Sequence, residues 1–144
     1  MNYRMRQMRI ADYPKVYALW KRTEGLSLDE SDSREAIGLY LRRNRGFCFV
    51  ACNGDRIVGA VLCGHEGRRG ILRHLAVTKA ERGRGIARAL IDRCMSALSR
   101  AGICKCNTLV LDSNASGRRF WEHMGWHVLE DNYRTLQTPA SKGE

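Results

Sequence analysis

The residues whose types and spacing best suit them to chemistry lie at positions 82–88, where the sequence reads Arg-Gly-Arg-Gly-Ile-Ala-Arg. The apolar run Leu75-Ala76-Val77 precedes this segment, and a helical pattern of apolar residues follows it. Backbone N–H groups at a helix start have no intrahelical acceptor, and the helix dipole adds partial positive charge there. Gly83 and Gly85 lack the side chains that would hold a diphosphate away from those donors. Three cations surround the same place: Arg82, Arg84 and Arg88. The segment therefore predicts a cradle for a phosphorylated ligand.

Two familiar phosphate-binding patterns match this segment poorly or in part. A Walker A loop ends in Gly-Lys followed by Ser or Thr, and that sequence does not occur in the chain. The dinucleotide fingerprint Gly-x-Gly-x-x-Gly/Ala is matched by Gly83 and Gly85, but Arg88 occupies the third position, where helix–strand packing needs a small residue. Asp112 follows the next apolar run, where a ribose-binding acid could lie. On the loop alone, this alternative stays open.

The periodicity of apolar residues predicts a mixed α/β domain. Hairpin strands come first, joined at the strong turn Asn53-Gly54, and a strand–helix–strand crossover follows. Asp12 is expected to cap the first helix, with Pro14 in its first turn. The predicted strands are Tyr3–Met8, Phe47–Cys52, Ile57–Cys63, Ile71–Val77, Thr108–Leu111, Trp126–Leu129 and Tyr133–Gln137. The predicted helices are one after Asp12, one near Ser33–Arg43, one from Ile86 that Gly102 stops, and one over Ala115–Met124, with a frayed tail at 138–144.

Length and composition are those of one globular domain, expected over residues 1–144. Of the 144 residues, 44% are apolar and 28% are charged. No run of about 18 apolar residues is present, which argues against a membrane span, and the N-terminus lacks the apolar core of a secretory signal. We therefore expect a cytoplasmic protein. The net charge of +10 admits nucleic acid as a partner, but Arg42, Arg43 and Arg45 have no interleaved aromatic residues and match no nucleic-acid motif.

The six cysteines are expected to be reduced thiols. Cys48, Cys52, Cys63 and Cys94 lie inside apolar strand or helix patterns, where cysteine packs as a small hydrophobic residue. The other two form Cys-x-Cys at 104–106, which lacks the Cys-x-x-Cys spacing of zinc and redox sites and has no histidine nearby in sequence. No metal is expected.

The phosphate loop and three further segments together resemble the GCN5-related N-acetyltransferases (GNAT). Arg82–Ala87 matches Arg/Gln-x-x-Gly-x-Gly/Ala, the pyrophosphate loop of that family, and Leu75-Ala76-Val77 looks like the strand that precedes it. Asn114 looks like the asparagine that begins the family's late helix. Residues 120–126, Phe-Trp-Glu-His-Met-Gly-Trp, look like the family's Phe/Leu-Tyr-Glu-x-x-Gly-Phe ending. The order of predicted elements is similar over nearly the whole chain.

The resemblance implies both a fold and a reaction. The fold is α/β (α+β), a single-domain, mixed and mostly antiparallel sheet with helices on both faces. The reaction moves an acetyl group from acetyl-CoA, the co-substrate, to a primary amine of a small molecule or of a peptide or protein. A backbone N–H at Leu75 would stabilise the oxyanion. The residues implied in coenzyme A binding are Leu75, Ala76, Val77, Arg82, Gly83, Arg84, Gly85, Ile86, Ala87, Arg88, Asn114 and Trp121.

The general acid of the family pattern is missing. Trp121 stands where the family often has a tyrosine, and an indole N–H does not ionise usefully. A thiol with a pKa near ~8.5 is a tolerable leaving group at neutral pH, so the reaction survives this loss. Tyr133 is the nearest tyrosine in sequence, and it is either a substitute acid or a sheet-packing aromatic.

The usual positions for a base are also empty of proton acceptors, because they hold Ile71, Arg73 and Leu109. His74 is adjacent and can exchange a proton near neutral pH. Strand alternation points it away from the Arg73 face, whereas a bulge in the strand would reverse that direction and make His74 a candidate base. Without such a bulge, the acceptor loses its proton through ordered water or arrives neutral.

Two features of the sequence bear on the acceptor. The loop and helix start that line the acceptor pocket in the family carry Glu24, Asp29, Glu30 and Asp32 here. These acids attract a cationic amine or simply stabilise a helix start. Arg73 suits a carboxylate or phosphate on the acceptor, or pairs with an acid across the sheet. An amine flanked by a carboxylate, as in an amino acid or a peptide end, would satisfy both features.

Two other functions stay open at this point. One is a non-catalytic module that senses acyl-CoA, which the missing acid and base favour. The other is a basic nucleic-acid-binding domain, whose affinity would fall steeply with salt. The fold also admits a homodimer, although no segment points to an interface.

Overall fold

Five strands lie side by side in sequence order in the computed structural model, which describes residues 3–129 and 134–140. The strands are β1 (Arg4–Gln7), β2 (Phe49–Asn53), β3 (Arg56–His65), β4 (Arg69–Val77) and β5 (Lys105–Thr108). Neighbouring strands from β1 to β4 pair antiparallel, whereas β4 and β5 pair parallel. Parallel neighbours need a long crossover connection, and a helix between β4 and β5 supplies it.

Helices cover both faces of this sheet. Those in the described residues are α1 (Tyr13–Arg22), α2 (Arg34–Arg43), α3 (Ile86–Arg100) and α4 (Ala115–His123). Helices α1 and α2 pack on one face in a cluster that includes Trp20 and Ile37, and α3 packs on the other face through Leu90 and Leu98. The expected fold, a mostly antiparallel sheet with helices on both faces, is confirmed.

Helix α3 illustrates how the sequence produces this layering. Ile86, Leu90, Cys94 and Leu98 recur at every fourth position, and all four are buried. A helical period of 3.6 residues places them on one stripe, which faces the sheet. The backbone of Gly102 then turns into the left-handed region (φ 81°) and ends the helix, as predicted.

Four cysteines take part in the core packing. Cys48, Cys52, Cys63 and Cys94 are buried and free, which confirms that they pack as small hydrophobic residues. Burial raises the pKa of the Cys48 thiol to about 11, so this group stays protonated at neutral pH.

Strand β5 lies earlier in the chain than predicted, and its short length opens the sheet. We expected a strand at Thr108–Leu111, but pairing with β4 ends where Leu72 lies opposite Thr108. At that last rung, the Thr108 hydroxyl donates to the carbonyl oxygen of Leu72 over 2.8 Å. The following residues leave β4, and Leu109 is 64% exposed. The two parallel strands therefore separate after four paired positions.

The strand predicted at Trp126–Leu129 is wrong, and the described residues 134–137 form no strand either. After α4, the N–H of Trp126 donates to the Trp121 carbonyl over 2.9 Å, and the two indole rings pack with centroids 4.5 Å apart. This contact folds the chain back against α4 instead of along β5. Tyr133, the substitute acid suggested by the sequence, lies outside the described residues.

Asp12 precedes α1 as predicted, but its side chain does not cap that helix. The carboxylate accepts two hydrogen bonds of 2.8 Å from the Arg6 guanidinium and one of 2.9 Å from the Arg9 backbone N–H. Burial raises the pKa of Asp12, but these hydrogen bonds outweigh it and hold the pKa below its ordinary value. The expected cap is thus wrong, because the acid instead ties β1 to the turn before α1.

The central position of Leu90 makes it a test of the packing. Replacing Leu90, which is fully buried, by Ala is expected to lower the free energy of unfolding by about 2–5 kcal/mol through lost burial and a cavity. The matched control is Leu39→Ala on α2, where the side chain is 63% exposed and the change should stay within ~0.5 kcal/mol. Urea unfolding of both variants measures the difference, and equal losses would contradict the assigned core.

Candidate active site

A cleft of about 620 Å³ opens where β4 and β5 part. It is lined by the end of β4, the loop that leads into α3, the segment 23–26 after α1, and the start of α4. Every residue that the resemblance implied in coenzyme A binding lines this cleft, except Arg84. The structure therefore brings together segments that are distant in sequence around one opening in the sheet.

The start of α3 presents free backbone donors to this cleft. The first helical hydrogen bond runs from the N–H of Ala89 to the carbonyl of Gly85 over 3.0 Å, so the amides of residues 86–88 have no intrahelical acceptor. Gly83 and Gly85 have positive φ values of 80° and 83°, which glycine adopts without strain. A Cβ at either glycine would meet nothing within 4 Å, so the surrounding space is open.

The three arginines of the loop have different partners. Arg82 donates from Nε to the Val77 carbonyl over 3.0 Å, and its terminal nitrogen lies 3.7 Å from the Glu24 carboxylate. Arg84 pairs with Glu81 at 2.9 Å and does not line the cleft. Arg88 lines the cleft, and its guanidinium has no hydrogen bond or ion pair to any residue that the structure describes. Arg88 is therefore the loop cation best able to meet an anionic ligand.

A buried acid anchors the loop to residues at the starts of β1 and β3. Glu81 is 7% exposed, and its carboxylate accepts from the Tyr3 hydroxyl, from Arg84, and from Arg56 over 3.3 Å. The hydrogen bond from Tyr3 is the main cause that lowers the pKa of Glu81, with Arg84 and Arg56 adding to it. This acid was not predicted from the sequence, because Tyr3 lies 78 positions away along the chain. Only the spacing of Glu81 and Arg84 could have indicated it.

A β-bulge interrupts β4 beside the cleft. Leu62 lies opposite Arg73 and Ala60 opposite Ala76, so His74 and Leu75 together face a single residue of β3. The backbone of His74 is in the left-handed region (φ 54°), which costs a residue other than glycine about 1–3 kcal/mol. The prediction from strand alternation fails here, because the bulge turns His74 toward the face covered by α1 and α2.

His74 is held in a nearly buried pair with Asp32. Its Nε2 lies 2.7 Å from Asp32 Oδ1, and the two side chains are 10% and 9% exposed. Trp20 donates from its indole N–H to the His74 carbonyl over 3.2 Å and contacts the ring edge-on, with centroids 4.9 Å apart. His74 also lines the cleft, and its Nδ1 has no hydrogen-bond partner among the residues described. Both residues were candidates from the sequence, but their contact was not predicted.

Of the remaining predicted residues, Asn114, Trp121 and Glu24 line the cleft, whereas Asp29 caps a turn. Asn114 caps α4 by accepting from the Gly117 N–H over 2.9 Å, and a Cβ on Gly25 would lie 2.5 Å from its Nδ2. The loop after α1 therefore closes tightly against the start of α4. Trp121 and Glu24 also line the cleft. Of the other acids near Asp32, Asp29 caps a short turn by accepting from the Ser31 N–H.

Comparison with known proteins gives the family. A model of the acetyltransferase (GNAT) family matches residues 4–126 of the chain. The chain belongs to this family. Acetyltransferase SG1711 of Sodalis glossinidius is 31% identical to it over 126 residues, which make up 88% of each protein. The resemblance found in the sequence is thereby confirmed, and the protein is an acetyltransferase.

Solved structures share the fold of this acetyltransferase. The PaiA N-acetyltransferase from Thermoplasma acidophilum, solved in complex with coenzyme A, has a TM-score of 0.80 at 18% identity, covering 92% of this chain and 94% of that one. Ard1 from Thermoplasma volcanium has a TM-score of 0.79 at 17% identity, covering 90% of this chain and 85% of that one. At such identities the likeness shows the fold alone.

The described residues contain neither a group of metal ligands nor a membrane-spanning helix. In that part of the acetyltransferase, no three His, Cys, Asp or Glu side chains are grouped so as to hold a metal ion. No helix there has the length and apolar character needed to cross a membrane.

The Glu81 anchor of this acetyltransferase predicts a pH dependence. Glu81→Gln should lower the free energy of unfolding at neutral pH, because it removes the ionised acceptor of Tyr3 and Arg84. The pKa of Glu81 lies below its ordinary value of 4.5, so the wild-type advantage is complete above pH 4.5 and is lost as the pH falls through the folded-state value. Urea unfolding from about pH 3 to 7 measures this difference. The control Glu122→Gln changes an exposed acid, and a pH-independent loss for Glu81→Gln would contradict the assignment.

Proposed function

We propose that the chain is an acetyl-CoA-dependent N-acetyltransferase that acts on a primary amine of a small molecule or of a peptide or protein. One observation carries the proposal: a single cleft joins the free amides at the start of α3 to His74, which is paired with Asp32. The first feature suits a diphosphate, and the second suits the removal of a proton from an amine. Together the two features suit acetyl transfer from a phosphorylated carrier to an amine.

The phosphate end of the cleft would bind the diphosphate of acetyl-CoA. The amides of residues 86–88 and the positive end of the α3 dipole favour an anion at this point. Arg88 adds a cation without an internal partner, and Arg82 lies at the edge of the same cleft. Arg84 contributes indirectly, since its ion pair with Glu81 holds the loop in place.

His74 would act as the general base. An ionised carboxylate only accepts hydrogen bonds, so Asp32 fixes the ring hydrogen on Nε2 and leaves the lone pair of the neutral ring on Nδ1. This nitrogen takes a proton from the ammonium group of the acceptor. The freed amine then attacks the thioester carbonyl carbon, forming a C–N bond and a tetrahedral oxyanion. Asp32 positions the ring and stabilises the imidazolium that forms.

The oxyanion and the leaving group have simpler requirements. The bulge at His74 and Leu75 takes one residue out of the ladder with β3, and the Leu75 N–H is the proposed oxyanion donor. As the intermediate collapses, the C–S bond breaks and the thiolate of coenzyme A leaves. The extra proton on the new amide nitrogen passes through water to that thiolate. Trp121 lines the cleft without ionising, in keeping with a thiolate that leaves without a dedicated acid.

The His74–Asp32 pair also bears on the non-catalytic alternative. A module that only senses acyl-CoA has no use for a strained, nearly buried histidine held beside the thioester end of the cleft. The strain is retained because Trp20 and Asp32 both hold the residue. This observation favours an enzyme over a sensor.

Arg88 provides a test of carrier binding. Arg88→Gln is expected to weaken coenzyme A binding by about tenfold, because a charge-assisted hydrogen bond to phosphate is lost. Isothermal calorimetry with coenzyme A measures the change. The matched control is Arg93→Gln, also exposed on α3 but outside the cleft, which removes the same charge. The absence of binding heat with the well-folded wild type would overturn the proposed function.

His74 provides a test of catalysis. His74→Asn should lower kcat/KM for amine acetylation by about 10²–10³-fold, because the base is lost, while asparagine still tolerates the left-handed backbone. Thiol release with a panel of amines measures the rate. The loss of kcat/KM should shrink at high pH, where the amine deprotonates unaided. Asp32→Asn should likewise lose more activity at neutral pH than at high pH. The control Glu30→Gln changes an exposed acid of the same turn, and a pH-independent loss for His74→Asn would exclude His74 as the base.

A further inference from the structure

A second cavity of about 470 Å³ lies at the opposite end of β4 from the cleft of the candidate active site. It is open to solvent and is bordered by the last turn of α2, the hairpin between β3 and β4, and the start of β5. Much of its surface is apolar, and six of the residues around it carry hydrogen-bond donors: Tyr40, Arg43, Asn44, His65, Arg69 and Asn107. The proposed acetyl transfer uses none of these residues.

The hydroxyl group of Tyr40 has no partner in this cavity. Its oxygen is buried, yet it forms no hydrogen bond to any residue of the described chain. The hydroxyl lies close to the backbone of Gly64, where a Cβ would come within 2.8 Å of the hydroxyl oxygen and 2.5 Å of Asn44 Oδ1. Burial raises the pKa of Tyr40, so the phenol is a neutral donor. Buried polar groups are usually paired, and a ligand oxygen would pair this one.

The charges around the cavity are mainly positive. Arg69 has no hydrogen bond or ion pair from its guanidinium to the described residues, and Arg43 forms only a 3.3 Å contact with the His65 carbonyl. The acid nearby, Glu66, is already paired with Arg68 at 2.9 Å. Arg73 lies close enough to act on Tyr40 and lower its pKa against the effect of burial. The cavity therefore suits an anionic group that a phenol and a guanidinium bind together.

Both openings lie along the same strand, β4. The cavity touches residues 69–71, and the cleft touches residues 74–77. Arg69 and His74 are five positions apart, which corresponds to roughly 16 Å of extended strand. A single amino acid cannot span this separation, whereas an extended peptide of about five residues can.

From this juxtaposition we infer that the acceptor is a polypeptide, and that an acidic side chain about four to six residues from the acetylated amine binds in the cavity between Tyr40 and Arg69. This inference rests on the proposed function, because the acceptor is assumed to extend from the active-site cleft to the cavity. The carboxylate accepts hydrogen bonds from the Tyr40 O–H and the Arg69 guanidinium. From there the acceptor peptide runs along β4 to His74. These contacts favour acceptor peptides with an acidic side chain at that position over neutral peptides.

A peptide fits the cavity better than a nucleic acid does. The lining combines one buried phenol with amides and guanidinium groups, which suits a single carboxylate.

The experiment compares two fluorescent peptides in the presence of coenzyme A. Both have about seven residues and a free terminal amine; one carries glutamate about five residues from the amine, and the other carries glutamine there. Fluorescence anisotropy should show about tenfold tighter binding of the glutamate peptide to the wild type. Arg69→Gln should bring the ratio of the two affinities close to one, and Tyr40→Phe should reduce it. Arg45→Gln, an exposed arginine outside the cavity, should leave the ratio unchanged.

Equal binding of the two peptides to the wild type, or a ratio that survives Arg69→Gln, would overturn the inference. So would competition by a short single-stranded oligonucleotide that depends on Arg69 while the peptides bind alike. Thiol release by the same variants with simple amines is measured separately. If the peptides discriminate but no amine releases thiol, the proposed function fails and the acidic subsite stands. If thiol is released but the peptides bind alike, the subsite fails alone.

Discussion

The separation of β4 from β5 is the constraint on which the rest of the structure depends. Pairing stops where Leu72 faces Thr108, and the Thr108 hydroxyl binds the Leu72 carbonyl at that point. If the parallel pairing continued, the backbone groups of β4 that now line the cleft would be hydrogen-bonded to β5. Because the strands part, the free amides at the start of α3 face an open space, and the end of β4 is available to a substrate. The sheet is thus continuous where it supports the core and open where chemistry is proposed.

The bulge beside this opening links backbone geometry to the proposed catalysis. It places His74 in a left-handed conformation that an ordinary residue resists, at a cost of about 1–3 kcal/mol. The indole of Trp20 binds the His74 carbonyl, and Asp32 binds the ring. The strain is therefore offset by contacts to α1 and to the turn before α2. This arrangement fixes the orientation of the ring before any acceptor arrives, which is the preorganisation that a general base requires.

The sequence predicted best what depends on neighbouring residues. Helix α3 follows from apolar residues at every fourth position, and its glycine-rich entry follows from the short loop at Arg82–Ala87. What depends on distant residues was missed. His74 and Asp32 are 42 positions apart, and Tyr3 and Glu81 are 78 positions apart, so no local pattern reports either contact. The start of β5 was misplaced because the apolar run after Thr108 resembles a strand, although Leu109 and Leu111 are exposed and tertiary pairing, not propensity, decides where such a strand ends.

The most direct test of the central claim is the protonation of the His74 ring in the folded protein at neutral pH. Isotope-edited NMR of the imidazole nitrogens distinguishes the two neutral forms. The proposed mechanism predicts a hydrogen on Nε2, which donates to Asp32, an unprotonated Nδ1, and a change in the Nδ1 signal when acetyl-CoA is added. Hydrogen on Nδ1 with a bare Nε2, or ring signals indifferent to acetyl-CoA that demonstrably binds, would contradict it.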